Sequence, residues 1–180
     1  YIFVDPIIGD NGKRYHGITE KTIPYMKRLC SIADVIVPNI TEACFLSDHA
    51  IKDTYSKYEI EEITKRLHEL GAKALIITSA NIDGNMFTVV KNSADEAIIF
   101  LPYEEIPVRF PGTGDIFMSM IVGHYLKSGN LLKSVETAMR QIERIIRANQ
   151  KNTDKYKGIP IEQFGEEITD EKTKDYTYLN

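Results

Sequence analysis

The stretch FPGTGDIF, residues 110–117, has two glycines around a threonine, an aspartate directly after them, and an apolar run that begins at Ile116. The first four N–H groups of a helix have no partner within that helix, and glycine leaves them accessible because it has no Cβ. The helix dipole adds partial positive charge at the same place. We therefore expect Gly112, Thr113 and Gly114 to form an anion or phosphate site where a helix begins.

Asp115 places a carboxylate in this predicted site, where it would repel an anion unless it has a chemical role. A base is useful there if a hydroxyl group must attack a phosphoryl group. Asp115 would accept the hydroxyl proton while the glycine amides stabilise the charge on the transferred group. In the simpler interpretation, Thr113 or Asp115 only caps the helix and the glycines form a tight turn.

Outside this stretch, short apolar runs alternate with segments of helical periodicity. Buried strands are predicted at residues 1–4, 35–37 and 74–78. The runs at residues 86–90 and 97–101 depart from the alternation and predict an antiparallel edge. The pattern as a whole predicts an α/β fold with a mainly parallel sheet and helices on both faces.

Helices are predicted at residues 22–33, 41–46, 56–70, from the glycine turn to 126, and 131–148. The clearest of them begins with a capping box of Ser56 and Glu59 and ends at Gly71. For the last helix we expect a buried face made of Leu132, Val135, Met139, Ile142 and Ile146.

Polar residues follow each of the three predicted parallel strands. They are Asp5 and Asp10, then Asn39 and Glu42, then Thr78 and Ser79. Ligands of parallel α/β sheets bind beyond the carboxyl ends of the strands, so we expect these residues at one edge of the sheet. The amide and carboxylate of the second pair suit a hydrated Mg²⁺. Each pair also has a structural interpretation, as a turn, a capping box or an ordinary polar loop.

The composition excludes several classes of function. A net charge of −4 over 180 residues argues against nucleic acid or an anionic membrane as the main partner. Two cysteines without C-x-x-C spacing indicate a reducing compartment, and we expect a cytoplasmic protein. Neither a signal peptide nor an apolar run of membrane-spanning length is present in the sequence.

The motifs DPIIGD (5–10), PNITEA (38–43), ITSAN (77–81) and PGTGDIF (111–117), in this order and spacing, resemble small-molecule kinases of the ribokinase-like superfamily. The resemblance is strongest to the pyridoxal (pyridoxamine) kinases, and covers the C-terminal two-thirds of their fold. It implies a core at residues 1–165 and leaves a polar C-terminal tail at 166–180. Such kinases carry a further N-terminal segment with much of the ring-binding pocket. We therefore expect a longer natural protein, and no competent kinase from these 180 residues alone.

The resemblance also implies a role for each motif residue. Asp115 would be the catalytic base, and Gly112, Thr113 and Gly114 the anion hole. Glu42 and Asp10 would order Mg²⁺ through water. The remaining residues would lie near ATP and its phosphates: Asp5, Asp10, Asn39, Thr78, Ser79 and Tyr15. Members of this group also use a monovalent cation, K⁺ or Na⁺, and form homodimers.

The resemblance implies ATP-dependent phosphorylation of the hydroxymethyl group of pyridoxal, pyridoxamine or pyridoxine. Two alternatives stay open: a hydroxymethylpyrimidine kinase, and a non-catalytic nucleotide-binding homologue. A dinucleotide-dependent oxidoreductase is disfavoured, because Phe117 occupies the third glycine position of G-x-G-x-x-G.

Overall fold

The computed structural model describes residues 1–93, 96–152, 154 and 158–165, so the predicted tail at 166–180 lies outside the described residues. The chain divides into two compact units, Tyr1–Glu105 and Ile106–Asn180. In the described part of the chain, no helix combines the length and the apolar character needed to cross a membrane.

The strands of the first unit are β1 (Phe3–Val4), β2 (Gly9–Asp10), β3 (Lys13–Arg14), β4 (Val35–Ile36), β5 (Ala74–Ile82), β6 (Asn85–Lys91) and β7 (Ile99–Tyr103). Five of them form one sheet in the order β1-β4-β5-β6-β7, and β2 and β3 form a separate hairpin. β1, β4 and β5 are parallel, whereas β6 and β7 are antiparallel to their neighbours. The sheet is therefore mixed, and the predicted antiparallel edge is confirmed.

The parallel strands are buried along most of their length. Val35, Ile36, Leu75, Ile76 and Ile77 each expose 3% of their surface or less. Near-continuous apolar burial is typical of parallel strands covered on both faces. This burial fixes the position of the strand ends, from which the polar motif residues follow.

Three helices belong to the first unit: α1 (Thr22–Cys30), α2 (Ile40–Ser47) and α3 (Lys57–Leu70). The predicted capping box of α3 is confirmed, because Ser56 accepts a hydrogen bond from the Glu59 amide and the Glu59 side chain accepts one from the Ser56 amide. Gly71 follows α3 with a φ of 120°, a conformation that favours glycine. Ile60, Ile63 and Leu67 are its buried apolar residues.

The second unit contains α4 (Thr113–Ser128) and α5 (Leu131–Asn149), which pack against each other, and a short 3₁₀ helix at Ile161–Phe164. Gly129 ends α4 in the left-handed conformation. The Asn130 side chain then caps α5 by accepting a hydrogen bond from the Lys133 amide at 3.0 Å. His124 on α4 donates through Nε2 to Gln141 Oε1 on α5 at 2.7 Å.

The predicted buried face of α5 is wrong, because the buried stripe lies about one residue away. Of the five predicted residues only Val135 is fully buried, and the other four are half-buried. The side chains that are buried include small and polar ones: Leu131, Ser134, Thr137, Ala138, Gln141, Ile145 and Asn149. Their polar groups have partners, as Ser134 donates to the Asn130 carbonyl at 2.7 Å, and small side chains let α4 approach closely.

Candidate functional site

Three of the predicted site residues lie on or just after the three parallel strands. Asp5 directly follows β1, and the Val37 amide beside it donates to the Val4 carbonyl at 2.9 Å. Asn39 follows β4 and forms a parallel bridge with Thr78 of β5. Asp5 and Asn39 thus follow the ends of β1 and β4, and Thr78 lies beside Asn39 within β5.

Asn39 and Glu42 form a complete capping box at the start of α2. The Glu42 amide donates to Asn39 Oδ1 at 3.0 Å, and the Asn39 amide donates to Glu42 Oε2 at 3.0 Å. The capping box, which was the structural interpretation of this pair, is therefore confirmed. It also fixes both side chains at the edge of the sheet.

The same two side chains bind the segment that follows β1. Glu42 Oε1 accepts hydrogen bonds from the Ile8 amide at 2.9 Å and the Gly9 amide at 3.3 Å. Asn39 Nδ2 donates to the Gly9 carbonyl at 2.8 Å. These bonds were not predictable from sequence, because backbone amides carry no residue-specific pattern.

Glu42 is a buried carboxyl group, with 3% of its surface exposed. Burial raises its pKa to about 7, against the opposing effect of the hydrogen bonds that it accepts from the Asn39, Ile8 and Gly9 amides. The negative charge of Asp5 raises the pKa further, which places the two carboxylates within electrostatic reach of each other. Carboxyl groups with strongly shifted pKa values are concentrated at functional sites.

The β2–β3 hairpin carries Asp10 and leads to Tyr15. Asn11 and Gly12 have φ angles of 51° and 74°, the conformation of a tight hairpin turn, which an Asn-Gly pair favours. The Asp10 carboxylate accepts hydrogen bonds from the amide and the side chain of Asn11, both at 2.8 Å. Gly9 has no room for a side chain, since a Cβ there would lie 2.2 Å from the Lys13 carbonyl oxygen.

Tyr15 directly follows the hairpin. Its amide donates to the Ile8 carbonyl at 3.0 Å, and 44% of its surface is exposed. The residue is therefore partly exposed, and its predicted role near the nucleotide stays a prediction.

The sequence predicted Thr78 and Ser79 at the end of a strand, but both residues lie inside β5. β5 continues to Ile82 because it pairs with β6, and the two residues occupy an irregularity between Ile77 and Ala80. Ser79 has a φ of 57°, which is uncommon for a residue with a side chain. Its side chain hydrogen-bonds to that of Tyr103 on β7, whose pKa is raised by burial. No pattern in the sequence predicted this contact of Tyr103.

In the second unit, α4 begins at the glycine turn. Gly112 is its N-cap with a φ of 81°, so the capping position has no side chain. The Thr113 hydroxyl donates to the Phe110 carbonyl at 2.7 Å. The first hydrogen bond of the helix runs from the Ile116 amide to the Gly112 carbonyl at 3.0 Å, so the N–H groups of Thr113, Gly114 and Asp115 precede it.

The surface around this turn is open. A Cβ on Gly114 would meet no atom within 4 Å, and Asp115 is exposed in the first turn of α4. A groove of about 330 Å³ begins beside Asp115 and follows α4 to Lys127. Met120 and Ile161 are among its apolar lining residues. The turn thus presents three amides and one carboxylate beside a concave surface.

Glu42 and Asp10 are the two carboxylates predicted to order a metal ion through water. Within the described ranges, no group of three or more His, Cys, Asp or Glu side chains is placed to hold a metal ion. The Glu42 carboxylate already accepts three backbone hydrogen bonds. Mg²⁺ keeps several of its waters and needs only one or two carboxylates, so Glu42 with Asp10 fits a hydrated ion.

Three known proteins illustrate what the chain resembles. Human pyridoxal kinase is 28% identical over 162 residues, which cover 79% of this chain and 51% of the human protein. The hydroxymethylpyrimidine/phosphomethylpyrimidine kinase of Aquifex aeolicus is 27% identical over 153 residues, covering 84% of this chain and 58% of that protein. A Bacteroides thetaiotaomicron protein, whose crystal structure was solved with pyridoxal, matches with a TM-score of 0.84 and 29% identity over 92% of this chain and 59% of that one.

The chain thus spans about half the length of the curated relatives that it matches. Its mixed sheet and flanking helices agree with the ribokinase-like fold that the resemblance of the four motifs implied. The model of the phosphomethylpyrimidine kinase family matches residues 1–160, a range that contains all four motifs. The chain therefore belongs to the phosphomethylpyrimidine kinase family.

Proposed function

We propose that the protein containing this chain uses ATP to phosphorylate the hydroxymethyl group of pyridoxal, pyridoxamine and pyridoxine, which gives the 5′-phosphate. The observation that carries the proposal is the glycine turn at the start of α4, with Asp115 in the first turn. The match to a family of small-molecule kinases over residues 1–160 supports it. The human relative is named a pyridoxal kinase, and the Bacteroides relative was crystallised with pyridoxal.

In the proposed reaction, the Asp115 carboxylate accepts the proton of the substrate hydroxyl group. The oxygen forms a bond to the γ-phosphorus of ATP while the bond from that phosphorus to the ADP oxygen breaks. The N–H groups of Thr113, Gly114 and Asp115 stabilise the charge on the transferred group, because they precede the first helical hydrogen bond. Gly112 keeps the capping position free of a side chain.

We assign the edge of the sheet in the first unit to the nucleotide phosphates. Asp5 and Asn39 follow β1 and β4 there, and Thr78 of β5 pairs with Asn39. Ser79 and the hairpin residues Asp10 and Tyr15 complete the proposed set. Glu42 and Asp10 would hold Mg²⁺ through water, and the ion would supply charge neutralisation at the phosphates. A monovalent cation, a homodimeric assembly and a cytoplasmic location complete the proposal.

A hydroxymethylpyrimidine kinase is the second candidate. The description of the matching family and the name of the Aquifex relative favour it. The chemistry is the same in both cases, since a primary alcohol on a heterocycle receives the phosphoryl group. The two candidates differ only in the ring that is recognised.

A substrate panel tests the proposal. The complete encoded protein is incubated with Mg-ATP and with pyridoxal, pyridoxamine, pyridoxine or hydroxymethylpyrimidine, and products are identified by mass. We expect a gain of one phosphate on the three vitamin B6 alcohols and an equal amount of ADP. Phosphorylation of hydroxymethylpyrimidine alone would favour the second candidate, and no phosphorylation of any alcohol would contradict both.

A further inference from the structure

The β2–β3 hairpin is held by the first turn of α2 through a set of side chains. Each of its strands has two residues, and a hairpin of this size is marginally stable without further contacts. Asn39 and Glu42 bind its first strand through the backbone of Gly9. The placement of the hairpin therefore depends on side chains from α2.

Thr41 provides a hydrogen bond to the turn of this hairpin. Its Oγ1 accepts from the Gly12 amide at 3.0 Å, and only 3% of the residue is exposed. Gly12 has a φ of 74°, and this turn conformation sets the direction in which its N–H group points. Gly12 is exposed and Thr41 is buried, so the bond is partly shielded from water, and its loss weakens the contact between the turn and α2.

We propose that Thr41 is a positioning residue that holds the β2–β3 hairpin, and with it Asp10 and Tyr15, in the arrangement that receives the nucleotide. The inference rests on the proposed function for its ligand, a nucleoside triphosphate with its cation. The contact to the hairpin itself rests on the hydrogen bond between Gly12 and Thr41. Thr41 touches no reacting atom and acts through the backbone of the hairpin.

Opening of the hairpin can be measured with trypsin, because Lys13 and Arg14 are exposed cleavage sites next to the turn. Trypsin needs a locally opened backbone, so its rate of cleavage after these residues reports how often the hairpin opens. Thr41→Val keeps the side-chain shape and removes the acceptor. Thr41→Ser keeps the acceptor. Thr64→Val makes the same change at a threonine that is 1% exposed and bonded within α3, away from the hairpin contacts.

In the complete encoded protein, we expect roughly two- to tenfold faster cleavage after Lys13 or Arg14 in Thr41→Val, as removal of one partly buried hydrogen bond implies. Titration with Mg-ATP should show several-fold weaker binding in the same variant, with binding and cleavage restored in Thr41→Ser and unchanged in Thr64→Val. Cleavage of Thr41→Val at the wild-type rate would overturn the proposal. Faster cleavage with unchanged Mg-ATP affinity would overturn its link to the nucleotide.

These readouts separate the two proposals, since neither requires turnover. A wild-type protein that phosphorylates no alcohol would contradict the proposed function, and the cleavage rates would still decide whether Thr41 holds the hairpin. An active wild-type protein whose Thr41→Val variant resists trypsin would contradict the role of Thr41 alone.

Discussion

Glu42 combines a helix-capping role with a buried charge. Its oxygens accept three backbone hydrogen bonds, from the amides of Ile8, Gly9 and Asn39. These bonds favour the ionised form, but burial outweighs them and the pKa rises to about 7. The sequence predicted the capping box and a place near a cation, whereas the contacts to Ile8 and Gly9 follow only from the fold.

The raised pKa of Glu42 predicts that its contribution to stability decreases as pH rises. The carboxyl group has an ordinary value of 4.5 and a folded value of about 7. The folded state therefore binds this proton more tightly, and the stabilisation is complete below the ordinary pKa and lost as pH rises through the folded pKa. The full difference corresponds to on the order of 3 kcal/mol in the free energy of unfolding.

Urea unfolding of the wild-type protein and Glu42→Gln from about pH 5 to about pH 8 measures this effect. Glutamine does not titrate, so the wild-type protein should lose stability relative to the variant as pH rises. Glu59→Gln makes the same change in the capping box of α3, where hydrogen bonds from Lys52 and Ser56 lower the pKa to about 2. The stability difference between wild type and that control should not change with pH. Parallel curves of stability against pH for wild type and Glu42→Gln would contradict the raised pKa of Glu42.

At the scale of the element, the two glycines at the start of α4 have different roles. Gly112 is needed for the backbone conformation, and Gly114 is proposed to leave the phosphate-binding amides accessible. Gly112 has a φ of 81°, so Gly112→Ala should cost about 1 kcal/mol or more in stability. Gly114 lies inside the helix with open space around it, and Gly114→Ala should stabilise the protein by about 0.5–1 kcal/mol. Its new methyl group would nevertheless crowd the amides proposed to bind phosphate.

Thermal unfolding and steady-state turnover of the two alanine variants test this separation. Gly114→Ala should have a raised Tm and a reduced kcat, whereas Gly112→Ala should have a lowered Tm. Gly123→Ala is a matched control, since Gly123 also lies in α4 with no atom within 4 Å of its Cβ position. Full activity in Gly114→Ala would argue against an anion hole at this turn.

Elements with local chemical signals were predictable from sequence. The D-N-G turn, the capping boxes at Asn39 and Ser56 and the helix beginning at the glycine turn all depend on residues a few positions apart. The buried face of α5 and the true end of β5 were not predictable in this way. They depend on packing against α4 and on pairing with β6, contacts with another element that the pattern within α5 or β5 does not show.

At the scale of the molecule, parallel topology explains why residues far apart in sequence follow neighbouring strand ends. The order β1-β4-β5 places Asp5 and Asn39 after neighbouring strands and Thr78 of β5 beside Asn39, as parallel pairing leads one to expect. The contributions of Thr41 and Tyr103 were not predictable, because a hydroxyl group that bonds to a distant turn or side chain has no local sequence pattern.

The central claim is that Asp115 is the base of a phosphoryl transfer, and the turnover of Asp115→Asn in the complete encoded protein tests it most directly. Asp53→Asn, at an exposed loop position, is the matched control and should keep wild-type turnover. We expect Asp115→Asn to lower kcat by ~10²–10⁴-fold, since a positioned base contributes about that much, while Mg-ATP binds with unchanged affinity. Turnover of Asp115→Asn at the wild-type rate would contradict the claim.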